Sequence, residues 1–103
     1  MRDEMPHAPR TALLDQWREL TRRTLPAMAA AHGWPIRLDH CFMRVCLDDA
    51  LGVRWDTVVR HPAVTHLTDA QLAGAVATAR RIAAAPELLR PLNIASLRMR
   101  GKL

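Results

Sequence analysis

Leu38-Asp-His-Cys-Phe-Met-Arg-Val-Cys-Leu-Asp-Asp-Ala50 is the stretch on which the fold turns. At about 100° per residue, a helix here sets Leu38, Phe42 and Val45 on one side and Met43 and Leu47 almost opposite. Cys41 and Cys46 flank the first set. A helix that is apolar nearly all round must be covered on more than one face, so it belongs at the centre of its domain. His40, Arg44 and Asp48 nevertheless recur every four residues and draw one polar column along it. A polar group taken into a core without a partner costs about 1–3 kcal/mol, so an Arg44 to Asp48 pair is expected, assisted by His40 or by a group from another helix.

Upstream, Leu13, Trp17, Leu20, Thr24 and Met28 share one face of a helix beginning at Thr11, with Asp15, Arg18, Glu19, Arg22 and Arg23 opposite. Pro26 has no amide hydrogen, so it either kinks this helix or opens a second one running to about His32. Gly33 supplies a stop and Trp34-Pro35 an extended step. Downstream, Gly52 ends the central helix. Residues 53–60 read two ways: Val53, Trp55, Thr57 and Val59 alternate as in a strand, while Trp55, Val58 and Val59 suit a helical turn. With no second strand to pair with, a helix is expected there, followed by a connection over 61–66. Thr68-Asp-Ala-Gln71 is a capping box, and Leu72, Ala75, Val76, Ala79, Ile82 and Ala83 trace the apolar stripe of the helix it opens. Pro86 ends that helix or starts the next, Pro91-Leu-Asn93 breaks the chain again, and a short basic helix over 94–100 precedes Gly101. The expected fold is all-α, four to five helices in one domain over residues 11–103, behind a flexible N-terminus at 1–10.

A chain of 103 residues and 11.6 kDa builds one core, since domains of this size bury roughly 60–70% of their unfolded surface. Half its residues are apolar and 24% charged, the balance of a globular protein. No run approaches the roughly 20 apolar residues of a membrane span. Met1 to Arg10 mixes both signs of charge with two prolines and has no apolar secretion segment, which points to the cytoplasm. The net charge is +5 and the pI about 10.9. That excess sits at 80–103, where Arg80, Arg81, Arg90, Arg98, Arg100 and Lys102 face Glu87 alone. Such a segment is either a docking surface for nucleic-acid phosphates or an acidic protein, or a solvated tail that keeps the chain soluble. The absence of Tyr and the single Phe argue against a base-stacking platform.

Cys41 and Cys46 are about 140° apart on a helix, too far round to bridge or to share a metal, and read as small buried hydrophobes. His61 and His66 flank Pro62 with only Asp56 nearby and read as loop histidines; no metal or cofactor is implied. Trp17 and Trp55 suit packing, and Trp34, on its Pro-containing loop, is the candidate anchor for a partner. His40, Cys41, Arg44 and Asp48 form the candidate catalytic set, with Asp48 as base and Arg44 as anion clamp. Structural pairing inside a helical core produces the same residues, and no second carboxylate, nucleophile or Gly-rich phosphate loop accompanies them. A non-enzymatic module is therefore the expectation, with a homodimer through an alanine-rich helix face open to it.

At Leu38-Asp-His-Cys-Phe-Met-Arg44, Gly52, Trp55, Pro91-Leu-Asn93, Ser96-Leu97 and Arg100-Gly-Lys102, the chain resembles a group of small bacterial proteins of about this length. Some of that group carry the label GCN5-related N-acetyltransferase, which implies a mixed sheet and a Gly-containing pyrophosphate turn. Arg80-Arg81 is followed here by Ile-Ala-Ala-Ala-Pro86, so no acetyl-coenzyme A residue carries across.

Overall fold

Every regular element in residues 9–103, the part of the chain described by the computed structural model, is helical. Residues 1–8, and with them most of the N-terminal segment expected to be flexible, lie outside the described residues. The all-α expectation holds. The ambiguous stretch at 53–60 carries one short 3-10 turn, Trp55–Thr57, in place of the expected helix.

Helix α1 (Arg10–Glu19) continues through a π-helical segment, Leu20–Thr24, into α2 (Leu25–Ala31). Together they carry Leu13, Trp17, Thr21, Leu25 and Ala29 into the core. Pro26 accounts for the π segment. Proline in an α-helix lacks the donor and collides with the carbonyl four residues back, at a cost of about 3 kcal/mol or more. Here the ladder widens just before it, with the Leu25 amide donating to the Leu20 carbonyl. Pro26 sits in the first turn of α2, the second of the two expected outcomes, and the π segment carries the rod into that turn without a break. Inside the same turn the buried Thr21 hydroxyl donates to the Trp17 carbonyl at 2.8 Å.

Gly33 (φ 59°) closes α2 by a Schellman turn, its amide donating to Ala30 O and that of Trp34 to Ala29 O at 3.3 and 3.0 Å. The reversal returns Trp34 to the body of the molecule. Helix α3 (Asp39–Leu51) is central, touched by α2, the π segment, the 3-10 turn and the two long helices that follow. Phe42, Val45, Cys46, Leu47 and Asp48 are buried on it, whereas Leu38 lies just ahead of it and is largely exposed. A one-turn helix, α4 (Ala63–His66), stands in the expected connection.

The capping box opens α5 (Asp69–Ala84) with both of its hydrogen bonds, Gln71 N to Thr68 Oγ1 at 3.0 Å and Thr68 N to Gln71 Oε1 at 2.9 Å. Its stripe of Leu72, Ala75, Val76, Ala79 and Ile82 is buried. After a 3-10 turn at Pro86–Leu88, α6 (Leu89–Met99) runs straight through Pro91. The expected break fails because Pro91 falls in the first turn, where amides have no intrahelical acceptor to lose. Leu89, Asn93 and Ser96, three to four residues apart, are the face α6 buries. Two of those three are polar.

Candidate functional site

The polar face of α6 meets the polar column of α3. Asp48 has no exposed surface and accepts four hydrogen bonds. The Trp55 amide (2.9 Å) and Arg100 Nη2 (3.1 Å) reach Oδ1; the Ser96 hydroxyl (2.6 Å) and Arg100 Nε (2.9 Å) reach Oδ2. Arg100 thus grips the carboxylate with a two-pronged, charge-assisted contact, the geometry best matched to a guanidinium. Arg44 does not pair with Asp48 directly. It donates to Ser96 Oγ at 2.7 Å and to Asn93 Oδ1 at 2.8 Å, so Ser96 links the two across the helix interface. The expected pair is replaced because the oxygens of Asp48 are already taken by donors from α6 and the 3-10 turn.

Gly101 is what brings Arg100 there. It adopts φ 68° and closes α6 with a second Schellman turn, Gly101 N to Arg98 O at 3.0 Å and Lys102 N to Leu97 O at 2.9 Å. This makes Arg100 the residue that caps the helix, with its side chain reaching α3. Asn93 and Ser96 are hydrogen-bond partners of the α3 column that helical periodicity alone passed over. The two distant segments quoted for the resemblance, around Arg44 and around Asn93 to Lys102, are the ones that meet here.

The proposed catalytic set is not assembled. His40 is 70% exposed, and its one ion-pair neighbour among the described residues is Asp39, Nδ1 to Oδ1 at 3.6 Å. Cys41 is half-buried and Cys46 fully so, and both thiols are free. Burial, and secondarily the charge of Asp49, pushes the Cys46 thiol up to about 12, so it stays protonated. Asp48, sealed and holding four donors, has no lone pair to offer a substrate.

Trp34 is likewise not an exposed anchor. It is 4% exposed, stacked on His32 at 5.6 Å between centroids and set edge-on to Phe42 at 5.7 Å, and its indole N–H donates to the Pro86 carbonyl at 3.2 Å. The Gly33 turn is the reason. The C-terminal cations also disperse. Arg100 is locked to Asp48, Arg81 pairs with Asp49 at 3.1 Å beside the Thr78 hydroxyl, Arg80 bonds Gln16 and Arg90 bonds the Gly33 carbonyl. Arg90 and Arg98 stand at opposite ends of α6. Arg98 and Lys102 are exposed, with no ion pair among the described residues.

Beside the polar network a cleft of about 310 Å³ opens between the π segment, α3, the 3-10 turn and α4. Met43, Leu47, Trp55 and Val64 give it apolar walls, and the ring of His61 packs on Trp55 at 4.7 Å between centroids. Arg22, Arg44, His40 and His61 are its ionisable groups; no carboxylate lines it. No protein-family model, curated protein or solved structure matches the chain.

Proposed function

We propose that the protein is a small non-enzymatic basic module that docks on an anionic surface, with nucleic-acid phosphates as its target. One observation carries the reading: among the described residues more exposed cations than exposed carboxylates are left without an ion pair, the latter being Asp15 and Glu87. Glu19, Asp48, Asp49, Asp56 and Asp69 each lie within ion-pair distance of an arginine. Arg18, Arg37, Arg60, Arg98 and Lys102 are exposed without an ion pair among the described residues, so the surplus charge of the chain faces solvent. Such a surface raises the local concentration of a polyanion and makes sequence-independent phosphate contacts. Arg100 drops out of the contact set, because moving it would strip a buried carboxylate of its partner. A cytoplasmic location goes with this target.

The test is the affinity for a short DNA duplex, read by fluorescence anisotropy across a salt series. Each phosphate contact contributes a slope of about 0.9 in log K against log salt, so Arg98→Gln combined with Lys102→Gln is expected to flatten the slope by roughly 1–2. No binding at low salt, or an affinity indifferent to salt, ends the reading.

An acidic protein partner is the second reading, favoured by the exposure of two apolar side chains, Leu38 at 58% and Val58 at 60%, which take the anchoring part Trp34 cannot play. A stoichiometric complex that survives nuclease treatment selects it. Sedimentation of the purified chain tests the remaining possibility of a homodimer, through the exposed Ala70, Ala73 and Ala77 of α5.

A further inference from the structure

The cleft beside Arg44 is unaccounted for by docking on a polyanion, since none of the exposed cations invoked for that lines it. Arg44 determines what it can take. Its guanidinium is tied by Nη1 to Ser96 and by Nη2 to Asn93, both neutral acceptors, and it makes no ion pair among the described residues. The one carboxylate in the network, Asp48, is already matched by the two-pronged contact of Arg100. Arg44 is therefore a positioned cation whose charge is left over, with N–H groups still unused out of the five a guanidinium carries. It lines a hollow that holds Arg22 and no acid, and whose remaining walls are apolar and aromatic. Its volume lies at the lower end of clefts that hold small ligands.

The geometry points to this cleft as a binding site for a small organic anion, with a carboxylate head on Arg44 and Arg22 and a flat apolar body against Trp55. Held in place by α6, the guanidinium loses little freedom on binding, and its planar fork matches a carboxylate. The apolar walls add burial that inorganic anions cannot use.

Titration of the intact chain with 2-naphthoate, by calorimetry and by the NMR shifts of the Trp55 and His61 rings, tests the site. Saturable one-to-one binding is expected, with shifts centred on those rings, and 2-naphthalenemethanol, which lacks the charge, should bind at least about tenfold more weakly. Inorganic phosphate should leave the two rings unshifted. Arg44→Gln and Arg22→Gln should each weaken 2-naphthoate by about fivefold or more. Arg44→Gln also removes donors from Asn93 and Ser96, so Arg22→Gln, whose side chain is exposed on the π segment, carries the test if the first variant does not fold. The inference is overturned by absence of saturable binding at millimolar ligand in a helical protein, by equal affinity for the neutral alcohol, or by native affinity in Arg22→Gln. Duplex affinity is measured separately, so failure here leaves the polyanion reading standing, and the reverse.

Discussion

Asp48 and Arg100 form a pair whose two halves lie 52 residues apart and whose carboxylate is fully buried. Breaking such a pair by removing one partner leaves an unmatched charge inside, which costs about 3–5 kcal/mol. Arg100→Gln should lower the unfolding free energy from urea titration by that amount, while Ser96→Ala, which deprives Arg44 and Asp48 of one bond each, should cost about 1–3 kcal/mol. Equal stability of Arg100→Gln and the native chain would show that the contact is absent in solution. Cys46 adds a pH dependence of known sign. Its folded value stands near 12 against 9.0 for a free thiol, so its stabilising share is complete below about pH 9 and is lost as pH climbs toward 12. Alkaline unfolding followed by circular dichroism should show that loss, and a thiol reagent at pH 8 should modify Cys41 in the native protein while Cys46 reacts only in denaturant. The polar column of α3 was legible in the sequence as residues that need partners. Who the partners are was not, because Ser96 and Arg100 sit 48 and 52 residues downstream of Asp48 and periodicity within one helix says nothing about what faces it.

Local chemistry explains why the element boundaries were easier to read. The Thr68 to Gln71 box and the left-handed glycines at 33 and 101 are decided by a few neighbouring atoms, and each stands where its residues place it. The π segment was hidden for the opposite reason. Pro26 announces a disturbance, but whether a helix answers by stopping or by widening depends on what the rest of the rod buries, and Leu25 and Ala29 beyond it are core residues. Pro91 was misread through the same gap, since its position in the first turn of α6 depends on where that helix begins. Two glycines give opposite expectations. Gly101→Ala puts a side chain into a left-handed turn and should cost about 1–2 kcal/mol, loosening Arg100 along with it. Gly74 lies inside α5, and a Cβ there would meet Ala50 Cβ at 3.5 Å, an ordinary contact. Gly74→Ala should therefore raise thermal stability, by roughly 0.5–1 kcal/mol from helix propensity.

For the molecule as a whole, the structure divides the cations into those that hold the fold and those that face outward. The surplus at 80–103 suggested a single landing surface; instead Arg100 and Arg81 neutralise α3 carboxylates, while Arg98 and Lys102 point to solvent. Stability and binding should therefore come apart. Arg98→Gln with Lys102→Gln is expected to leave the unfolding free energy within about 0.5 kcal/mol of the native value while weakening duplex binding, because exposed residues without special contacts contribute little to stability. Net charge was readable from composition, yet its partition was not, as that depends on which acids the tertiary fold brings within reach.

The reach of Arg100 back to Asp48 also has a temporal side. A ribosome makes Asp48 52 residues before it makes Arg100, and until that guanidinium exists the middle helix would have to enclose a naked carboxylate. Closure around α3 is thus expected to wait for the end of α6 to emerge, so this part of the nascent chain should stay open and protease-sensitive until Arg100 is out and then shut in one cooperative step.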